Sequence, residues 1–288
     1  MAVLDVAPLQ GPVFTGRRSR LPVSISAAVG VAILAMLIVL WIWGAIAPPH
    51  NPLATDPASQ LLPPGTGHIL GTDKFGRDVL SRVMAGTGID LAIALLVTGI
   101  AFTVGVLVGS LAAYNGGWLD DIVLRVVDMV LSFPAFVLAL AITAVLGNSV
   151  RNVVIAIAVA YTPYFVRLAR GEVLSARRSD YAENARAVGN PGWRVVFLHL
   201  LPNCVTPALV QASLTMGWSI LDASGLSFLG LGIKPPTAEW GVEVSEGASN
   251  IVSGEWWTSV FPGLAITFAV LAFNLIGEAI QTRFSRRR

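Results

Sequence analysis

From Val23 to Ala47 the chain runs about 25 residues without a charged side chain. A helix needs about 20 apolar residues to cross roughly 30 Å of hydrocarbon. Ala45-Ile46-Ala47 resembles a signal-peptide cleavage site, but a signal's apolar region spans only about 7–15 residues; the run reads as a membrane anchor. Further apolar runs follow at Ile89–Ala113, Ile122–Leu146, Val153–Leu168, Cys204–Ser224 and Thr258–Ile280. The predicted fold class is an all-α polytopic membrane protein with six transmembrane helices. With 55% hydrophobic and 12% charged residues, neither a disordered chain nor an ordinary soluble domain fits. The single cysteine, Cys204, excludes an intramolecular disulfide and a thiolate-only metal cluster.

Six spans put both termini on one side. With the N-terminus inside, fourteen of the nineteen Lys and Arg residues lie inside and five outside. That bias predicts cytoplasmic N- and C-termini. Arg17, Arg18 and Arg20 near the start and Arg286–Arg288 at the end read as membrane-flanking clusters, not as a nucleic-acid surface. The expected organisation is a cytoplasmic tail (1–22), a first transmembrane helix (23–47), an external segment (48–88) and a core (89–288). The core contains a charged cytoplasmic loop at about 175–203.

That loop holds "DYAENARAVGNPGWRVVFLHLLPN", Asp180–Asn203. Asp180 with Glu183 three residues on forms a D-x-x-E variant of the capping box, predicting a helix over Tyr181–Val188. Gly189 suits the left-handed residue that ends a helix, and Asn190-Pro191-Gly192 forbids continuation. Trp193, Val196, Phe197, Leu200 and Leu201 then recur at helical spacing, predicting an amphipathic helix along the membrane surface. Pro202 is expected to break it before the fifth span.

The order Glu183-Asn184-Ala185, Gly189, His199, Leu201-Pro202 resembles the EAA loop of ATP-binding-cassette importer permeases, with departures at Asn184 and His199. "LGTDKFGRDVLSR" (Leu70–Arg82), "LSFLGLGIKPPTAEWG" (Leu226–Gly241), "WWTSVFPGLAI" and "AFNLIGEAI" are similar to stretches of the dipeptide, oligopeptide and nickel permeases, C-type subunit. The resemblance implies one anchor helix plus a five-helix, MetI-like type I importer core in a bacterial plasma (inner) membrane. It implies a homologous B-type permease subunit, cytoplasmic ATPase subunits or domains that hold the ATP and magnesium, and an extracytoplasmic substrate-binding protein. Asp180, Tyr181, Glu183, Ala185, Arg186, Gly189 and Pro202 would form the ATPase-coupling element. Short peptides are the expected substrate, with nickel chelates, glutathione or another small solute as alternatives.

The chain itself lacks the chemistry of an energy source. Lys74 and Lys234 are its only lysines, and neither stands in G-x-x-x-x-G-K-[ST]. No catalytic or metal-binding motif is present, and His50, His68 and His199 are scattered in sequence and read as loop or surface histidines, not as metal ligands. An ion-coupled secondary transporter would place ionisable groups near the midplane of broken helices, and only Asp128 is a candidate for that.

Ionisable residues within spans face a bundle interior or water. Asp128 stands three residues after Arg125, which predicts an ion pair on one helix face. Asp222 could line the translocation path or bond a neighbouring helix, and Asn274 is a third candidate for the path. Gly105 and Gly109 form G-x-x-x-G, a close-packing signal. Pro134 and Pro163 should kink their helices. In the external segment a short helix is expected from about Gly76 to Ala85. Asp73, Arg77 and Asp78, with Trp240 nearby, could be an ion-pair network or a docking surface for the binding protein. Trp256 and Trp257 suit an interfacial belt.

Overall fold

The computed structural model describes residues 23–285; the expected cytoplasmic tail and the basic cluster Arg286–Arg288 lie outside the described residues. Among the described residues the secondary structure is helical apart from one β-bridge between Thr72 and Asp78. The order is α1 (Val23–Ile46), α2 (Val79–Asn115), α3 (Gly117–Leu131), α4 (Ala135–Leu146), α5 (Val150–Ala176) and α6 (Asp180–Ala187). There follow α7 (Gly192–Arg194), a π-helical stretch (Val195–Leu200), α8 (Leu201–Phe228), α9 (Trp240–Ala248) and α10 (Trp257–Ser285).

Among the described residues five helices, α1, α2, α5, α8 and α10, are long and apolar enough to cross a membrane. A sixth crossing exists only if α3 and α4, bent by 87°, count as one. The expected straight span Ile122–Leu146 is therefore two helices. Pro134 is the N-cap of α4, and its ring biases the preceding residue away from helical geometry. Pro163, by contrast, lies inside α5, which continues as one helix to Ala176.

The external segment also differs from expectation. No separate helix covers 76–85; α2 itself begins at Val79 and runs 37 residues, about 55 Å at 1.5 Å per residue. Its start is set by Asp78, whose Oδ2 accepts hydrogen bonds from the Ser81 backbone N–H (2.8 Å) and hydroxyl (2.7 Å). An acidic N-cap satisfies a helix donor that would otherwise be orphaned. α2 therefore projects beyond the hydrocarbon and links the two ends of the molecule.

Lipid is as apolar as leucine, so helix association in a membrane rests on close packing, which small residues permit. α2 lies against α5 at Gly105 and Gly109. A Cβ on Gly105 would collide with the Phe165 side chain, and one on Gly109 with the Val166 carbonyl. Around this contact Ile93, Val97, Ala101, Val153, Ile157 and Phe165 form the largest core cluster. α1 is joined to the core through α10 and α2: Leu37 shares a cluster with Ala269 and Phe273, and Gly44 abuts Met84. At the far end of α2, Ala113 packs with Val173, Ala182, Ala185, Val195, Val196 and Leu200.

Gly109→Val should force α2 and α5 apart and destabilise the protein by about 1–3 kcal/mol, the usual cost of overpacking. At Gly99 a Cβ would meet no atom within 4 Å, so Gly99→Ala is the matched control. Thermal unfolding temperature in detergent should fall for Gly109→Val and not for Gly99→Ala.

Candidate functional site

α6 is held by its small residues and presents its polar ones. Ala182 and Ala185 are buried against Ala113, Val173, Val195 and Val196. Asp180, Tyr181, Glu183, Asn184, Arg186 and Val188 are exposed. Of the residues assigned to coupling, Asp180, Tyr181, Glu183 and Arg186 thus lie on the outward face, and Ala185 anchors the helix from beneath. Gly189 and Pro202 are exposed as well.

The helix ends as expected and begins differently. Gly189 has φ +82°. Its N–H donates to Arg186 O (2.9 Å), and Asn190 N–H donates to Ala185 O (3.3 Å). Those two bonds are a Schellman motif, which consumes carbonyls that a helix end leaves unpaired. At the start, Asp180 is the first helical residue and Ser179 occupies the cap position. The Ser179 hydroxyl donates backwards to Ala176 O (2.6 Å), so the expected Asp180–Glu183 capping box does not form. Both acids still sit in the first turn, where the helix dipole favours them.

Two arginines fix α6 to the spans. Arg177 Nη1 donates to Ala113 O (2.8 Å) at the end of α2, and Arg186 Nη2 donates to Arg177 O (2.9 Å). Past Pro191, one helical turn passes through the π-helical stretch directly into α8, with Pro202 inside its first turn. The expected break at Pro202 is absent: the backbone stays helical through Leu200 and Leu201, and the proline follows directly on the π-helical stretch, where the regular α-helical bonding is already interrupted. Val195, Val196 and Leu200 face inward, and Trp193 and Leu198 are exposed.

The polar groups within the spans do not gather as one cluster. Asp128 pairs with Arg167 of α5 (2.7 Å), so the expected partner Arg125 is corrected: packing of α3 on α5 brings a residue 39 positions away closer than the helical neighbour. Asp222 Oδ2 accepts a hydrogen bond from the Tyr161 hydroxyl (2.9 Å), a bond between α8 and α5. Asn274 is exposed on α10. Tyr161, Tyr164 and Arg167 recur at three-residue spacing on one face of α5. Beside them lies a groove of about 350 Å³ lined by Leu131, Tyr164, Arg167, Gly171, Glu172 and Gln211. A larger groove between α2, α3 and α5, about 450 Å³, is lined by Val104, Val108, Ile122, Val126, Ile155 and Val159 among others; its aliphatic walls suit hydrocarbon. Asp120 makes a two-pronged pair with Arg170 (2.6 and 2.7 Å), which ties α3 to α5.

At the opposite end, the four residues expected to offer a docking surface are buried: Asp73, Arg77, Asp78 and Trp240. They build a platform from within. Arg77 donates to Asp73 Oδ2 and to Glu246 Oε2, each at 2.6 Å. Arg82 Nε stands 3.8 Å from both Asp73 and Glu243, and its Nη1 donates to Pro52 O (3.2 Å). Trp240 Nε1–H donates to Val83 O (3.1 Å), and its backbone N–H to Asp90 Oδ2 (3.1 Å). Trp257 is also buried, donating to Thr72 O (3.1 Å); the interfacial belt retains only the exposed Trp256. His50 and His68, apart in sequence, stack with ring centroids 4.5 Å apart.

Comparison with known proteins shows the family of the chain. Residues 105–288 match the family described as binding-protein-dependent transport system inner membrane component. The chain belongs to that family. The permease is 40% identical over 260 residues to a probable D,D-dipeptide transport system permease protein of Escherichia coli (strain K12), covering 90% of this chain and 86% of that one. It is 38% identical to a dipeptide transport system permease protein of Alkalihalophilus pseudofirmus, covering 88% and 84%. It is 36% identical to a glutathione transport system permease protein of Shigella boydii serotype 4, covering 97% and 94%. It is thus a multi-pass inner-membrane subunit of an ATP-binding-cassette importer.

Sequence reading of the permease missed Glu243 and Glu246, Arg167 as the partner of Asp128, and Tyr161 as the partner of Asp222. No local pattern announces pairs 39, 61 or 169 residues apart. In the platform, two guanidinium groups face three carboxylates, Asp73, Glu243 and Glu246, so charge balances when one acid holds a proton. Burial pushes Glu243 up to about 8 from an ordinary 4.5, against the pull of Arg82 and Arg77. A raised carboxyl pKa favours the fold fully below the unfolded value, and that contribution is lost as pH rises through the folded value. The permease should therefore lose thermal stability between about pH 5 and pH 8.5, and Glu243→Gln should flatten that decline. Melting temperatures of both proteins at the two pH values test it; parallel curves would assign the titration elsewhere.

Proposed function

We propose that this permease carries short peptides across the membrane as the C-type subunit of its importer. The observation that carries the reading is α6: a polar, exposed helix gripped from below by Ala182 and Ala185 and stopped sharply at Gly189. A rigid projection of that kind can fill a groove on a partner and transmit its motion. The partners in this reading are a homologous B-type permease, cytoplasmic ATPase subunits that bind ATP and magnesium, and an external binding protein. Peptide is favoured because relatives at 36–40% identity are named for dipeptide and glutathione transport. The α5 groove suits a zwitterionic peptide, since it offers cationic Arg167, anionic Glu172 and the amide of Gln211. Asp128 and the Tyr161–Asp222 pair flank it. Asn274 would face the same path from α10 once the partner permease is in place.

ATP binding would close the two ATPases and move both coupling helices together, rocking the permease pair from inward- to outward-facing. Reversing a two-state equilibrium from 1:99 to 99:1 takes about 5.5 kcal/mol of differential binding. The α6 linkage must therefore be stiff enough to deliver that energy without bending.

Gly189→Val tests this linkage. No atom lies within 4 Å of a Cβ there, so the cost is conformational, about 1–2 kcal/mol for a left-handed non-glycine residue. In reconstituted vesicles the variant should insert and capture its ATPases, while ATP-driven dipeptide uptake falls at least tenfold. Uptake at the wild-type rate would overturn the coupling role. Orientation is tested separately. A reporter inserted near Arg178 should be cytoplasmic and one near Pro57 external, following the basic-residue bias; the reverse would exclude ATPase contact at α6.

A further inference from the structure

We propose that His50, His68 and Asp78 form a binding site for one divalent transition-metal ion of the zinc type. The three residues come from the chain just after α1, the middle of the external segment and the N-cap of α2. Their ligand atoms all lie within 4.8 Å of one another. His68 Nδ1 stands 2.9 Å from Asp78 Oδ1 and His50 Nδ1 stands 3.6 Å from the same oxygen. The first contact is an ordinary hydrogen bond. The second is too long for one, yet the nitrogen converges on the same oxygen. A hydrogen bond joins His68 to the cap residue, and ring contact with His68 holds His50 beside them, but neither contact turns His50 Nδ1 toward Asp78 Oδ1. A cation between the three accounts for all of them.

The surroundings are those of a supported ligand set. The Asp78 side chain is 2% exposed, and its other oxygen, Oδ2, is fixed by the Ser81 N–H and hydroxyl. The helix cap thus uses one oxygen and orients the other toward the imidazoles. The Ser81 hydroxyl oxygen also accepts the His50 backbone N–H (3.0 Å), which holds the chain after α1 over the start of α2. Such outer bonds orient metal ligands and raise affinity. The His50 side chain is 45% exposed, so the site has an entry path and room for a water as a fourth ligand. Two imidazole nitrogens and one carboxylate oxygen select a borderline ion such as Zn²⁺ over the harder Mg²⁺ and Ca²⁺, which prefer all-oxygen sets. Three protein ligands plus water is a common zinc arrangement. Binding would clamp the end of α1 to the N-terminus of α2 at the end of the molecule remote from α6.

The test uses the complete importer in nanodiscs, with Zn²⁺ as the probe against a competing chromophoric chelator. Wild-type complex should bind one more equivalent of Zn²⁺ than the His50→Ala complex, at micromolar affinity or tighter, and Mg²⁺ in large excess should not displace it. Zn²⁺ should raise the wild-type melting temperature and leave that of His50→Ala unchanged. His50 is chosen because its side chain makes no hydrogen bond to the cap, so its loss leaves the α2 start intact. His199→Ala, which removes the remaining histidine of the chain, should bind as wild type does. Equal Zn²⁺ binding by wild type and His50→Ala, or displacement by Mg²⁺, overturns the site. Peptide uptake is no part of the readout, so the result stands apart from the transport reading.

Discussion

The backbone of α2 lies against α5 at Gly105 and Gly109, and the rest of the molecule is arranged along that contact. In lipid there is no solvent to expel between helices, so van der Waals contact at small residues has to supply what burial supplies in water. With α2 held there, its Asp78 end carries the buried ion-pair platform and its Ala113 end carries α6. One continuous helix of 37 residues thus joins the two. A displacement at either end has a stiff element through which to be felt at the other.

The two ends use charge in opposite ways. At the platform, Arg77 and Arg82 are buried with Asp73, Glu243 and Glu246. Removing one partner from such a group strands a charge in a poor solvent, at a cost of about 3–5 kcal/mol. That favours a single, rigid arrangement of the external segment over α9. At the other end, the ionisable groups of α6 stay exposed while alanines face inward. Exposed charges on a rigid helix contribute little to stability and remain free to meet a partner. Between the two ends, α5 is tied to its neighbours by the Arg167–Asp128 and Arg170–Asp120 ion pairs and by the Tyr161 hydroxyl hydrogen bond to Asp222.

The features legible in the amino-acid sequence were those that depend on neighbours along the chain. Apolar run length located the five helices long enough to cross a membrane, because hydrocarbon thickness sets helix length, but it did not reveal the 87° bend that divides the run at 122–146. Gly189 ended α6 because a left-handed backbone costs a glycine almost nothing, and the G-x-x-x-G spacing placed Gly105 and Gly109 on one helix face. Pairings between distant residues were settled in three dimensions. Asp128 chose Arg167 over Arg125, Trp257 left the interface to bind Thr72, and Arg77 and Asp78 turned inward where Glu246 and His68 were brought to them. The capping box failed for a local reason instead: Ser179 turned its hydroxyl back to Ala176, three residues earlier, at the end of α5. Each of the distant pairings compares a local partner with one delivered by packing, and packing depends on which helices touch, a fact that no window of sequence contains.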